Sequence, residues 1–249
     1  MAVDKTPERV RTMFGEIAPR YDLLNCLLSA GIDRWWRRWT VRLAPAEGEG
    51  PVLDVCTGTG DLALAYWRSR HGKVPVVGID FCRPMLDLAQ EKLRRAGANS
   101  VALLEADALN LPFDDDAFEV VAIAFGLRNL VDPDRGLREM TRVCRPGGRV
   151  AVLEFSLPRA RLLRAIYGWY FHRVLPRIGQ ALARNRGGAY NYLPASVGEF
   201  LPREVLMRKM EEVGLMDVRC HPLTFGIAAL YIGVKQGLGI RDWRLGIGG

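Results

Sequence analysis

The sequence predicts a doubly wound α/β fold, and three observations carry that prediction. Short apolar runs alternate with amphipathic segments; the first run, Val52 to Cys56, passes at once into a glycine turn and a helix start; and the second run closes on an acid, Asp80, about one βα unit later. Alternation of this kind belongs to a mostly parallel sheet with helices on both faces.

The elements follow in order. A helical N-terminal arm is expected over residues 1–45. Runs suited to buried parallel strands are Val52 to Cys56, Val76 to Asp80, Val101 to Glu105, Val120 to Phe125 and Arg149 to Phe155. Between them Leu62 to Ser69, Pro84 to Ala96 and Pro133 to Val143 read as helices, with Pro84 in a first-turn position and Gly97 as a stop. Arg145-Pro146-Gly147-Gly148 is a tight turn into the fifth strand. After an insertion over residues 157–200, a helix from Pro202 to Val213 and apolar runs near Val218 and from Ile227 to Val234 resume the pattern. No repeat or long linker divides the chain, so residues 1–236 are expected to form a single domain, with 237–249 as a flexible tail.

Composition narrows the function classes. A chain of 249 residues that is 49% hydrophobic can bury one sizeable core. Its start has no apolar leader, and no apolar stretch approaches the roughly 18 residues of a membrane span, so a cytoplasmic location is expected. Five scattered cysteines without a C-x-x-C pair, and three histidines, signal neither a disulfide framework nor a metal site. The net charge of +7 is local, because seven arginines and no acid lie between Arg159 and Arg186, interleaved with Leu162, Ile166, Trp169 and Phe171. That mixture suits a helix lying on an anionic lipid surface, and equally an amphipathic helix packed on its own domain with solvated arginines.

The turn V-L-D-V-C-T-G-T-G-D, Val52 to Asp61, carries the chemistry. Gly58 and Gly60 let backbone approach a nucleoside, and Asp80 is placed to hold a ribose. A dinucleotide site wants a third glycine, but Asp61, Leu62 and Ala63 follow instead, and an acid at a helix start repels phosphate while suiting a cation. Asp54 is placed to meet an ammonium group. S-adenosyl-L-methionine, with an adenosine, an amino group and a sulfonium but no phosphate, fits this acidic turn better than a nicotinamide cofactor does.

With these residues laid out, the chain resembles the class I S-adenosylmethionine-dependent methyltransferases, and within them the family that methylates a ring carbon in menaquinone and ubiquinone biosynthesis. The likeness runs through F-G-E-I-A-P-R-Y-D-L-L-N from Phe14, L-S-A-G from Leu28, A-D-A-L-N-L-P-F from Ala106, F-G-L-R-N from Phe125, L-E-F-S from Leu153 and Y-N-Y-L-P-A-S from Tyr190. It covers roughly residues 8–235 and implies a Rossmann-like, mostly parallel sheet of seven strands. It also implies that Thr59 lies in the cofactor turn, Asp80 on the ribose hydroxyls, and Asp107 with Ala108 beside the adenine. Ala124 stands where relatives often have a serine in contact with the cofactor, so that hydrogen bond is lost here; Cys56, where glycine or alanine is common, is read as structural.

Such a family implies a polyprenylated quinol acceptor. A ring carbon is a poor nucleophile unless a ring hydroxyl ionises, and a phenol resists this with a pKa of ~10. Arg128, just past the fourth strand, is the expected electrostatic stabiliser of a phenolate; Asn129 can orient a ring oxygen, and Tyr21 can bond the other hydroxyl or pack as a buried aromatic. His221 is a more distant candidate base. Peripheral binding to an anionic membrane through the insertion is a further expectation, with a homodimer left open. A nucleic-acid methyltransferase is the rival enzyme, disfavoured because F-G-L-R-N replaces the N-P-P-Y-like loop of base-modifying enzymes, so no nucleic-acid partner is expected. A lipid-surface assembly protein with a vestigial cofactor fold is the rival outside enzymes.

Overall fold

A computed structural model describes residues 6–29, 31–156, 158, 160 and 189–237. Most of the basic insertion and nearly all of the expected tail lie outside the described residues. The chain opens with helices α1 (Pro7–Ser29) and α2 (Ile32–Leu43). It then alternates through β1 (Val52–Val55), α3 (Asp61–Ser69), β2 (Val76–Asp80), α4 (Arg83–Arg95), β3 (Val101–Glu105), β4 (Phe118–Ala124), α5 (Pro133–Val143) and β5 (Cys144–Phe155). Helices α6 (Ala189–Gly198) and α7 (Arg203–Glu212) precede β6 (Leu215–Leu223) and β7 (Ala228–Lys235).

The seven strands form one sheet in the order β3-β2-β1-β4-β5-β7-β6, with β7 antiparallel to both neighbours and the other described pairings parallel. The order reverses between β1 and β4, and that reversal opens a crevice beyond their carboxyl ends. Two apolar layers sandwich the sheet. Trp36, Leu62 and Tyr66 pack on one face and Leu137, Met140 and Leu206 on the other. Strands β1 and β4 are buried almost throughout, which is why both read as continuous apolar runs.

Local chemistry sets the element ends. Asp132 caps α5, its carboxylate accepting from the Arg135 amide at 2.9 Å, and Pro133 stands where no amide partner is needed. Strand β5 begins five residues earlier than the apolar pattern suggested, because Cys144 pairs with Phe118 across a register shift before the regular ladder starts at Arg149. Among the described residues, no helix is long and apolar enough to cross a membrane.

Candidate active site

The ends of β1 and β4 are held in unusual backbone. Cys56 and Phe125, each one residue beyond its strand, have φ of 55° and 60°, a left-handed conformation rare outside glycine. Such strain persists only where the surroundings enforce it. Here a Cβ on Gly126 would lie 2.6 Å from the Cys56 Cβ, so the two loops are pressed together at the switch point. Burial pushes the Cys56 thiol well above its ordinary pKa, which suits packing rather than reactivity.

Beyond these strand ends lies a cavity of about 560 Å³, a size that suits a small molecule. One end is acidic, with Asp80, Glu105 and Asp107 in its wall; the other carries Phe125, Asn129 and Val131 after β4; and α1 covers it with Arg11, Phe14 and Tyr21. Asp80 ends β2 and is 6% exposed. Its two oxygens accept from the amides of Gly58 at 2.8 Å and Cys82 at 2.9 Å, leaving lone pairs for a pair of hydroxyls. Desolvation raises its pKa, while the amides of Cys82, Gly58 and Phe81 oppose the shift. A Cβ on Gly58, whose φ is +56°, would meet nothing within 4 Å, so the turn presents bare backbone. Gly60 does something else: it starts α3 in left-handed backbone and packs against Ala89 of α4. The Asp107 carboxylate accepts from the Leu109 amide at 2.9 Å, and Ala108 lies buried beside it in the cavity wall.

Four expected roles are altered by this geometry. Asp54 does not line the cavity; it is 1% exposed, and its carboxylate accepts from the Thr57 hydroxyl at 2.6 Å and the Ala63 amide at 2.9 Å. The side chain expected to meet an ammonium is used by the turn itself. Thr59 likewise turns away, donating to Asp22 at 2.6 Å and accepting from Lys92 at 3.0 Å. Asp61, expected to repel phosphate, is paired with Lys92 at 2.6 Å and lies 3.9 Å from Arg37, so the acidic character of the cavity comes from Asp80, Glu105 and Asp107. Arg128 shows the largest departure. It is 5% exposed, its Nη1 donates to Glu154 at 2.7 Å and to the Phe125 carbonyl, and the guanidinium lies 5.2 Å from the Phe155 ring centre. The carboxylate at the end of β5 draws the cation inward through Nη1, against the expectation of a guanidinium turned wholly to the acceptor, and the buried Nε–H has no hydrogen-bond partner among the described residues.

Tyr21 and Asn129 do reach the cavity. Asn129 donates to the Phe125 carbonyl at 3.2 Å and accepts from the Tyr192 hydroxyl at 3.2 Å, so its amide is held from both sides. Tyr21 meets Phe14 edge-on at 6.0 Å. His221 lies on β6, outside the cavity wall.

Several contributors were missed from sequence. Lys92 of α4 ties three elements together, bonding Asp22 of α1 at 2.6 Å as well as Thr59 and Asp61. Arg11 stacks over Phe81 at 5.4 Å, the residue after the ribose acid. Nothing in the spacing of Asp22, Thr59 and Lys92 announces their meeting; the only available signal was that Asp22 falls inside the F-G-E-I-A-P-R-Y-D-L-L-N run.

Asp54 also makes a prediction about pH. Burial raises its pKa from 3.8 to about 7, against the hydrogen bonds from Thr57 and Ala63. A carboxyl group raised in this way favours the folded state at acid pH, where it is protonated in both states, and that contribution is lost as pH rises from about 4 through about 7. Asp54→Asn keeps an oxygen acceptor without the buried charge. Its thermal midpoint, relative to wild type, should therefore rise by ~3 °C or more between pH 4.5 and pH 8, about 1 kcal/mol for a chain of this size. A constant difference across that range would show that the carboxylate is not desolvated.

Comparisons with known proteins fit this geometry. A model described as the ubiE/COQ5 methyltransferase family matches residues 2–235. A relative from Thermus thermophilus, named demethylmenaquinone methyltransferase, is 50% identical over 221 residues, covering 89% of this chain and 99% of the relative. One from Geobacter sp. strain M21, named ubiquinone/menaquinone biosynthesis C-methyltransferase UbiE, is 48% identical over 235 residues, covering 94% and 99%. Among solved structures, the [4+2]-cyclase SpnF superposes with a TM-score of 0.63 at 18% identity, covering 92% of this chain and 95% of that one. A Thermotoga maritima S-adenosylmethionine-dependent methyltransferase, titled a possible histamine N-methyltransferase, gives 0.61 at 18%, covering 90% and 99%. These two proteins are named for different reactions, so the structural likeness speaks to the fold alone.

Proposed function

The chain belongs to the ubiE/COQ5 methyltransferase family, and from that premise we propose that it methylates a ring carbon of a reduced, polyprenylated demethylquinone, with demethylmenaquinol as the acceptor. The observation that carries the reading is the division of one cavity into two chemical ends. Asp80, with Glu105 and Asp107 nearby, suits a cationic nucleoside that lacks phosphate; Asn129, Tyr21 and the apolar wall after β4 suit a hydroxylated aromatic ring. S-adenosyl-L-methionine, when bound, supplies a methyl group already activated by the sulfonium charge.

The protein's own task is to hold the donor and make the ring carbon electron-rich. Asp80 would accept from the ribose hydroxyls, Gly58 would lie against the nucleoside, and Ala108 and Asp107 would flank the adenine. At the other end the Asn129 Oδ1, with one lone pair already used by Tyr192, has a second for a ring hydroxyl. The Tyr21 hydroxyl would donate to the oxygen on which phenolate charge develops, and one such preorganised donor contributes on the order of 3 kcal/mol to the barrier. The proton leaves through water. Arg128 serves as a positioning residue: with Asn129 it holds the Phe125 carbonyl, and with Glu154 it fixes the loop that carries Asn129.

The reaction is tested by release of S-adenosylhomocysteine. Release should require the reduced demethylquinone and should fall to background with the oxidised quinone, whose ring carbon has no ionisable hydroxyl to activate it. Equal release with RNA in place of the quinol would favour the nucleic-acid rival. A polyprenyl tail also requires access to lipid, so the account includes peripheral contact with an anionic membrane surface.

A further inference from the structure

Six large apolar side chains are strongly exposed among the described residues, and Ile32 (37%), Trp35 (45%) and Phe225 (81%) belong to one region. Ile32 and Trp35 lie on α2, and Phe225 lies in the turn between β6 and β7. That turn is tied to α2 by the Trp36 indole N–H, which donates to the Thr224 hydroxyl at 2.8 Å. Phe225 is also strained: Thr224 and Phe225 have φ of 44° and 57°. The turn is pinned by Arg203, which donates to the Gly226 carbonyl at 2.8 Å, and by the Ser156 amide, which donates to the Ile227 carbonyl at 2.8 Å. Left-handed backbone on two non-glycine residues holds an aromatic ring out in water, where it contributes nothing to the core.

The rest of the outer face of α2 is basic. At about 100° per residue, Asp33, Trp36, Arg37, Thr40 and Val41 form the buried side, as observed. The outer side then divides in two. Ile32, Trp35 and Trp39 form an edge toward the β6–β7 turn, and Arg34, Arg38 and Arg42 form an edge toward α3. Between α2 and α3 runs a groove of about 920 Å³, whose wall includes Arg34, Arg38, Arg42, Arg68 and Arg70. The acids that share this groove are already engaged: Asp33 with Arg37, Asp61 and Asp22 with Lys92, and Glu47 with Arg149. None of the five groove arginines named lies within ion-pair distance of a carboxylate among the described residues.

We propose that this face, the Ile32–Trp35–Phe225 apolar edge beside the Arg34–Arg38–Arg42 stripe, is the surface by which the protein docks on an anionic lipid membrane. The partner is chosen by the pairing of features. Indole and phenyl rings settle at the level of lipid headgroups, and guanidinium groups without a carboxylate partner beside them, one of which (Arg42) stacks over Trp39 at 4.9 Å, meet phosphate esters bidentately. The placement also gives the face a purpose that rests on the quinol reading above. The buried side of α2 puts Trp36 5.9 Å from Phe125, a wall of the cavity, so the docking face stands about one helix diameter, ~10 Å, from the acceptor end.

The test is flotation of the full chain with vesicles of phosphatidylcholine alone or mixed with phosphatidylglycerol. Wild type should float with the mixed vesicles and not with phosphatidylcholine alone. Arg34→Glu with Arg38→Glu, and separately Trp35→Ser with Phe225→Ser, should each reduce flotation at least tenfold while leaving S-adenosylmethionine affinity and the thermal midpoint unchanged. Methyl transfer to a short-tailed, water-soluble quinol should remain within twofold in both pairs, whereas transfer to a long-tailed quinol in vesicles should fall at least fivefold. Flotation without quinol tests the docking face alone, and the short-tailed assay tests the reaction alone. Variants that float like wild type would overturn the inference. So would flotation abolished by millimolar glycerol phosphate, equal affinity for single-stranded RNA, or a wild-type dimer that the Trp35→Ser, Phe225→Ser pair dissociates; these would assign the face to a soluble anion, a nucleic acid or a second copy.

Discussion

Arg128→Ala is expected to lower the thermal midpoint by ~6 °C or more and turnover at least tenfold, with S-adenosylmethionine affinity preserved. The stability loss follows from the partner left behind. Glu154 is fully buried, and its closest cationic contact is the Arg128 guanidinium at 2.7 Å. Removing one member of a buried pair leaves the other uncompensated and costs about 3 kcal/mol or more, which corresponds to ~6–12 °C for a chain of this length. The backbone amides of Arg128 and Phe155 still donate to Glu154, which keeps the loss near the lower end. Arg128→Ala with Glu154→Gln should therefore recover most of the lost stability. Turnover falls because the Phe125 carbonyl loses a donor and Asn129 loses its fixed orientation. A tenfold fall corresponds to about 1.4 kcal/mol of barrier. A variant with wild-type turnover would remove Arg128 from the account, and one with wild-type stability would show that the pair is not buried in solution.

Asp80→Ala should weaken S-adenosylmethionine binding by about a hundredfold or more in calorimetry, the largest effect expected of a single donor-side change. Hydrogen bonds to a charged group contribute about 1.5–3 kcal/mol each, and two ribose hydroxyls would meet this carboxylate. The substitution also strips the Gly58 and Cys82 amides of their acceptor, so the turn itself loosens. Because burial raises the Asp80 pKa, the binding-competent carboxylate is lost as pH falls at values above the ordinary carboxylate range. Donor affinity should decline with acidification accordingly. Unchanged affinity in Asp80→Ala would remove the ribose assignment.

The fold was legible because its signal is local. Apolar runs such as Val52 to Cys56 and Val76 to Asp80 must be strands buried on both faces, and the acid closing the second had to emerge beside the first turn. What escaped was everything decided by neighbours distant in sequence. Asp54 and Asp80 look alike as acids at strands, yet only Asp80 stands at a carboxyl end that opens on the cavity. Asp54, inside β1, meets Thr57 and Ala63 instead. Arg128 was correctly placed in the loop after β4, but the direction of its side chain depends on Glu154, 26 residues on, which the β4–β5 pairing brings alongside. The clasp of Asp22, Thr59 and Lys92 has the same origin, since it requires α1 to lie against α4 before any of the three can meet.

The most direct measurement offers isotopically methyl-labelled S-adenosylmethionine with reduced demethylmenaquinol and a reduced methoxylated benzoquinol together, and locates the label by mass spectrometry. The account predicts one labelled methyl on a ring carbon of the naphthoquinol. Label on a ring oxygen, label confined to the benzoquinol, or no transfer to either ring would contradict it.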